Sequence, residues 1–303
     1  MKQTPDHLRL FTRWHFYGVL VAFLLALHGS AMAAPQILVA HPVVHGLAQE
    51  LVRGTSIELV RVTPAQLPPA RHPAFLAGRG LEALQKAAVQ AEAVLTLRSI
   101  WPDDQLYPLA RRNNIRIVEI DAAQPIEGDL PGISLSTGDN VINAQPWLDG
   151  NNLSRMAGIL ADALARLHPP VASVLQDNRQ AVQGQLQRLA AGSSQRLARL
   201  VDLGALVLSR RVHTLAQALQ LEMLPWTNPV DEAQLAPVLS ARLQQEKARV
   251  VLHHTRPDAA VIEAIEANGA RLVVIPEFSG NPVEALEKAV QMVLEALESR
   301  PNR

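Results

Sequence analysis

Cysteine is absent from all 303 residues. That excludes disulfides, thiolate metal sites, cysteine nucleophiles and lipid attachment through a thiol. An excess of either charge is missing as well: 28 Lys+Arg stand against 28 Asp+Glu, so the chain has no electrostatic case for nucleic acid or for an anionic membrane surface. No Gly-x-Ser-x-Gly elbow, phosphate-cradling glycine loop or dinucleotide fingerprint occurs in a strand-to-helix context. Catalytic chemistry therefore has little support, and no organic cofactor is expected. A His-Glu-x-x-His pair is also lacking, so any ion site must assemble from distant segments.

One long apolar run is present, "FYGVLVAFLLALHGSA", behind Lys2, Arg9 and Arg13 and ahead of "AMA". The pattern is that of a secretory leader cleaved after Ala33, which places the protein in the periplasm. The run could also stay as an anchor, but it is short for a span and small residues follow it. Removing a leader with three basic residues and Asp6 leaves the remainder close to neutral. With 48% hydrophobic residues, that remainder can bury a sizeable core and should be a soluble monomer.

Hydrophobic periodicity divides the rest into two alternating halves. "QILVAH" reads as a strand, "VVHGLAQELVRG" as a helix stopped at Gly54, and "SIELVRV" as a second strand. "TPAQLPPARHPAFLAGRG" carries four prolines and reads as a loop of fixed, extended shape. Helix and strand then follow in "LEALQKAAVQAEAVLTL", a helix in "DDQLYPLARRNN" and a strand in "IRIVEI". From Leu153 come two long helical stretches broken at His168-Pro169-Pro170, the second with the polar sides of a rigid connector. The alternation resumes in "ALVLS", "RVVLH", "RLVVI" and the helices between and after them. The expected fold is α/β: two lobes with parallel sheets, joined by a long helix, with a ligand cleft between them. The expected division is a leader over 1–33, an N-terminal lobe over 34–168, the connecting helix over 169–200 and a C-terminal lobe over 201–303.

Ligands of such sheets sit at the carboxyl ends of strands, which selects His41, His72, Ser209 with Arg210 and Arg211, His253 with His254, and Glu277. Imidazole and carboxylate without thiolate suit zinc, manganese or a similar ion. A lone loop histidine such as His72 is more often solvated than ligating. Strand pleating lets only one of His253 and His254 face the cleft unless the strand has already ended, with His253 preferred. His213 fits the first turn of a helix, where capping is the commoner role. His41 and His45 have a spacing of four, but Pro42 argues against a continuous helix from His41. "RSIWPDDQLYPLARR" reads as an acidic helix start in preference to a ligand loop.

Three stretches carry a family resemblance: "LPPARHPAF" followed by "LEALQKAAVQAEAVLTL", then "QPWLDGNN", then "VVLHHTRPDAAVIEAIEANGARLVVI". In that order the chain resembles the periplasmic substrate-binding proteins of zinc and manganese ABC importers, over nearly all of its length after the leader. The resemblance implies capture of a divalent cation between the lobes, by three histidines and a carboxylate or a close variant, and delivery to a permease and ATPase. Position by position, His72 matches the first histidine, Gln145 stands at the second, and Ser209 or Arg210 stands near the third, with His213 one turn on. His253 stands at the fourth, beside His254, and Glu277 is the carboxylate nearest the last position. The His/Asp-rich loop of many zinc-specific members is missing.

Three outcomes stay open on these residues. His72 with His253 or His254, helped by His41 or His213, makes a site of altered geometry. Alternatively the cleft takes a chelated metal or anionic ligand, with Arg210 or Arg211 pairing to its carboxylates. Or the protein is a metal chaperone or interaction protein with little affinity for a free ion. A zinc-dependent hydrolase would need a general base near the ion, and Glu277 is the sole candidate.

Overall fold

The structure, a computed structural model, describes residues 34–126, 131–133, 145–227, 229, 231 and 234–299. The leader expected over 1–33 lies outside the described residues, and none of the described helices is long and apolar enough to cross a membrane. From Pro35 onward the chain is one compact unit.

Its N-terminal sheet holds β1 (Gln36–Val39), β2 (Glu58–Arg61), β3 (Ala91–Thr96) and β4 (Val118–Asp121), all parallel, in the order β2-β1-β3-β4. The C-terminal sheet holds β5 (Gly204–Val207), β6 (Glu222–Met223), β7 (Val250–His253) and β8 (Arg271–Val274) in the equivalent order β6-β5-β7-β8, again parallel. The central strands are near-continuous apolar runs, such as "QILV" and "VVLH", because helices cover both faces of a parallel sheet.

Helices connect the strands, as parallel pairing requires. In the first lobe they are α1 (Pro42–Val52), α2 (His72–Ala77), α3 (Leu81–Gln90) and α4 (Leu106–Arg111). Next come α5 (Gly150–Leu167) and the 26-residue α6 (Ala172–Leu197), then α7 (His213–Ala218), α8 (Leu235–Gln245), α9 (Ala259–Ala267) and α10 (Pro282–Glu298). The helix starts follow local chemistry. Pro42 occupies the first position of α1, Asp149 accepts from Asn151 N at 2.8 Å to cap α5, and Asn281 accepts from Val283 N at 2.9 Å to cap α10. Gly54, just past α1, has φ +78°, a conformation a side chain rarely adopts.

One expectation is corrected. The proline-rich stretch is not a plain extended loop: Pro69–Arg71 forms a 3-10 turn and His72 opens α2. Pro69 and Pro73 both fall in first turns, where proline's fixed φ is favourable and its missing N–H leaves no bond unmade.

A central core runs through both lobes, from Ile37 and Leu95 under α5 to Leu252 and Val293, with a smaller cluster on the outer side of each sheet. The long α6 packs along α5 and is tied at two places. Asn178 Nδ2 donates to the carbonyls of Leu51 and Arg53 at 2.8 Å each, holding the end of α1. Arg196 grips both carboxylate oxygens of Glu298 at 2.7 Å, holding α10. A side chain at Gly46 in α1 would put its Cβ 1.9 Å from the Gly280 carbonyl, so this helix meets the segment leading into α10 backbone to backbone.

Candidate metal centre

In a sheet ordered 2-1-3-4 the crevice lies beyond the carboxyl ends of the first and third strands, where the connections depart in opposite directions. In the N-terminal lobe those ends are His41, after β1, and the loop from Leu97 to Trp101, after β3. In the C-terminal lobe they are the turn from Ser209 to Val212, after β5, and His253 with His254 at the end of β7. Between the lobes lies a cavity of about 80 Å³, bordered by His41, Trp101, Gln145 and Trp147 from one side and by Arg211, Glu277 and Phe278 from the other.

His41 is 3% exposed, and its ring stands 4.9 Å from Trp147 and 5.7 Å from Trp101, centroid to centroid. Its backbone accepts from His45 N at 2.9 Å, so His41 caps α1 from outside the helix. Burial pulls its pKa down to about 3, assisted by the nearby charges of His72 and Arg61. His72, 2% exposed, opens α2 and lies 6.4 Å from the Trp101 ring. Its Nε2 is 3.0 Å from the Leu67 carbonyl. That contact makes Nε2 the donor and leaves the Nδ1 lone pair for another partner. Burial lowers its pKa too, against the opposing pull of Leu67. Both Nδ1 atoms are buried without a hydrogen-bond partner.

The walls are held by backbone-directed bonds. Asp104 accepts from Leu97 N at 3.3 Å and from Leu106 N at 3.0 Å, and Trp101 N donates to the Leu97 carbonyl at 2.7 Å. Burial raises the Asp104 pKa, partly offset by those two bonds. The "WPDD" stretch thus does two things at once: Asp104 fastens the loop and Trp101 faces the histidines. Gln145, 7% exposed, starts the turn bearing Trp147, and Asn152 Nδ2 fixes that turn through the Pro146 carbonyl at 3.1 Å. The Trp147 indole nitrogen is buried without a partner.

On the other side, Ser209 Oγ accepts from Arg211 N at 3.2 Å, and the Arg211 guanidinium pairs with Glu277. The strand β7 ends on His253, so pleating does not separate the two imidazoles, and their rings lie 4.7 Å apart with planes 34° from parallel. His253 Nδ1 is occupied by Thr255, whose N lies at 3.0 Å. His254 has a buried Nδ1 without a partner, and its pKa falls to about 4 through burial, then His253, then Arg211.

The cavity thus joins His41, Gln145, Arg211 and Glu277, with His72 in ring contact with its Trp101 wall. His253 and His254 are not among its lining residues, nor are His213, half-buried at the start of α7, and Arg210, which is exposed. Among the described residues no three of His, Asp and Glu converge closely enough to hold an ion by themselves. Reading the sequence missed Phe278 and Arg61; Arg61 sits one strand over from His41 at the end of β2, an ordinary basic residue at a strand end.

A family model described as zinc-uptake complex component A, periplasmic (ZnuA), matches residues 72–299. The chain belongs to the ZnuA family. The match opens on His72 and leaves His41 outside it. ZnuA-family proteins are substrate-binding proteins and not enzymes, so the hydrolase reading falls, and Glu277 is an ion-pair partner of Arg211. Among solved structures, an FpvC mutant from Pseudomonas aeruginosa matches with TM-score 0.66 at 16% identity, covering 87% of this chain and 99% of that one. A ZnuA deletion mutant with zinc bound matches at 0.63 and 21% identity, covering 88% and 100%. A periplasmic metal-binding protein from Candidatus Liberibacter asiaticus matches at 0.65 and 11%, covering 87% and 99%. At these identities the likeness is one of fold. No curated protein sequence matches significantly.

Proposed function

We propose that this chain is the periplasmic solute-binding component of a metal-type ABC importer, taking up a divalent ion between its lobes and passing it to a permease and ATPase. The observation that carries the reading is the pair of buried imidazoles at the N-terminal crevice, each with an unpartnered Nδ1. A buried polar atom without a partner is costly unless a ligand completes it. Neutral imidazole is a good ligand for zinc and a poorer one for manganese, which favours oxygen donors. Zinc is therefore the proposed ion. The named contents of the structural neighbours, zinc in one ZnuA structure and Mn2+ in one of FpvC, fit a divalent cargo.

In this reading His41 and His72 hold the ion, His254 and its neighbour His253 approach from the second lobe, and Gln145 offers a weaker oxygen. The test is calorimetric titration of the purified, metal-stripped protein with zinc and then manganese, beside the shift in melting temperature. Zinc should bind and raise the melting temperature, and His72→Ala should abolish both signals while retaining a cooperative melt. Absence of any zinc-dependent signal, free or chelated, removes the reading.

A further inference from the structure

Arg211 and Glu277 stand on the cavity that His41 and Gln145 border from the other lobe. Each is carried by backbone that is held in place. Beside Glu277, Ile275 N donates to the His253 carbonyl at 2.8 Å, Ile275 and Phe278 are buried, and Pro276 locks its own φ. Beside Arg211, Ser209 Oγ accepts from Arg211 N at 3.2 Å and Val212 is fully buried. The paired side chains nevertheless stay 30% exposed at Arg211 and 40% at Glu277. The two turns are therefore fixed, while the guanidinium and the carboxylate can rotate.

A dication entering this space meets His41, whose Nδ1 is unpartnered, and Gln145, a weak oxygen ligand. The carboxylate on the same wall is occupied by Arg211. Among the described residues no three of His, Asp and Glu converge on one point, and Glu277 is held from doing so by an arginine. An ion pair this exposed is weak, since water screens it. A dication attracts a carboxylate with twice the Coulomb energy of a guanidinium at equal distance, and zinc approaches carboxylate oxygen to about 2.0–2.2 Å. The exchange therefore runs toward the ion when zinc is present. The cavity of about 80 Å³ admits an ion with a few waters, each of which needs about 10–15 Å³ of such space.

We infer that Arg211 is a built-in competitor of the cargo: it holds Glu277 in the empty protein, yields it to an ion seated on His41, and takes it back as the ion leaves. With the metal-capture function as premise, Arg211 becomes the residue that sets the affinity. A resident cation on the ligand's own carboxylate keeps capture reversible, as a protein that must hand its cargo on requires.

The experiment is calorimetric titration with zinc chloride of the metal-stripped protein and its variants, each checked for a cooperative melt. Arg211→Gln frees Glu277 and should tighten zinc binding about fivefold or more. Arg211→Lys, which keeps the charge with fewer donors, should gain less. Glu277→Gln should weaken binding about tenfold or more, since losing a ligand costs at least as much as losing its supporting partner. In the Glu277→Gln background, adding Arg211→Gln should bring no gain, because no carboxylate is left to release. A gain that persists there undiminished would mean that Arg211 only repels the ion from a distance, and overturns the inference. Unchanged or weaker binding in Arg211→Gln would make the pair a structural tie and overturns it too. Arg242→Gln, which breaks the ion pair with Glu246 on α8, should leave zinc binding unchanged, and a gain in that variant would trace the effect to overall charge. Any of these failures leaves metal capture standing, whereas absence of a zinc signal in every variant removes both.

Discussion

The N-terminal lobe brings uncharged groups on a packed wall to the cleft, whereas the C-terminal lobe brings an ion pair on a short turn and a loop, although both sheets follow one strand order. His41 and His72 are almost fully buried beside Trp101, whose loop is fastened by Asp104. Arg211 and Glu277 keep 30% and 40% of their side chains exposed. The same topology therefore yields one half-site whose geometry is fixed by packing and another whose geometry is held by charge. Packing leaves little freedom for a ligand to choose its position, while an exposed ion pair can exchange partners at small cost.

The largest break in that comparison should come from the histidines. His41→Ala should weaken zinc binding, free or chelated, by more than about a hundredfold. His254→Ala, in the other lobe, should weaken it by about tenfold or less. Calorimetry on the two variants reads the contrast, and equal losses would mean that the lobes share the ion evenly.

A second, smaller effect separates the lobes by stability. Asp104→Ala strands the N–H groups of Leu97 and Leu106 and should cost about 2–3 kcal/mol in urea unfolding. Glu277→Gln should cost within about 1 kcal/mol, because its ion pair is solvent-screened.

A further effect lies in the response to pH. The folded protein holds His41 and His254 neutral, with pKa values of about 3 and about 4, whereas the unfolded chain protonates them near 6.5. Between those values the unfolded state binds more protons, so stability is complete above about pH 6.5 and declines as acid is added toward pH 4. Melting temperatures from pH 7 to 4 should fall, with a shallower slope in His254→Gln and a shallower one still in His41→Gln. An unchanged slope in His41→Gln would show that the ring is reached by water.

How far the sequence foretold this depends on the range of the forces involved. The alternation of "VVLH" and "RLVV" with amphipathic helices is written locally, and the two-lobed α/β fold with its long connector follows from it. The helix at His72 was hidden because prolines read as loop, yet they serve helix starts equally well. The pairing of Arg211 with Glu277 joins residues 66 apart in sequence and carries no local mark. The direction of the His253 and His254 rings turned on where a strand ends by one residue, a boundary that alternation alone leaves open. Trp101 was visible at a strand end, but its role as a wall shared by two imidazoles needed the third dimension.

Gly46 and Gly280 give the joint between the lobes its character. With the α1 backbone seated directly on the carbonyl of the segment that leads into α10, the two halves share a bearing surface and not a swinging linker. Arg196 and Asn178 fasten the long helix on either side of that bearing. A joint of this kind favours small slides of one lobe over the other above a wide hinge opening.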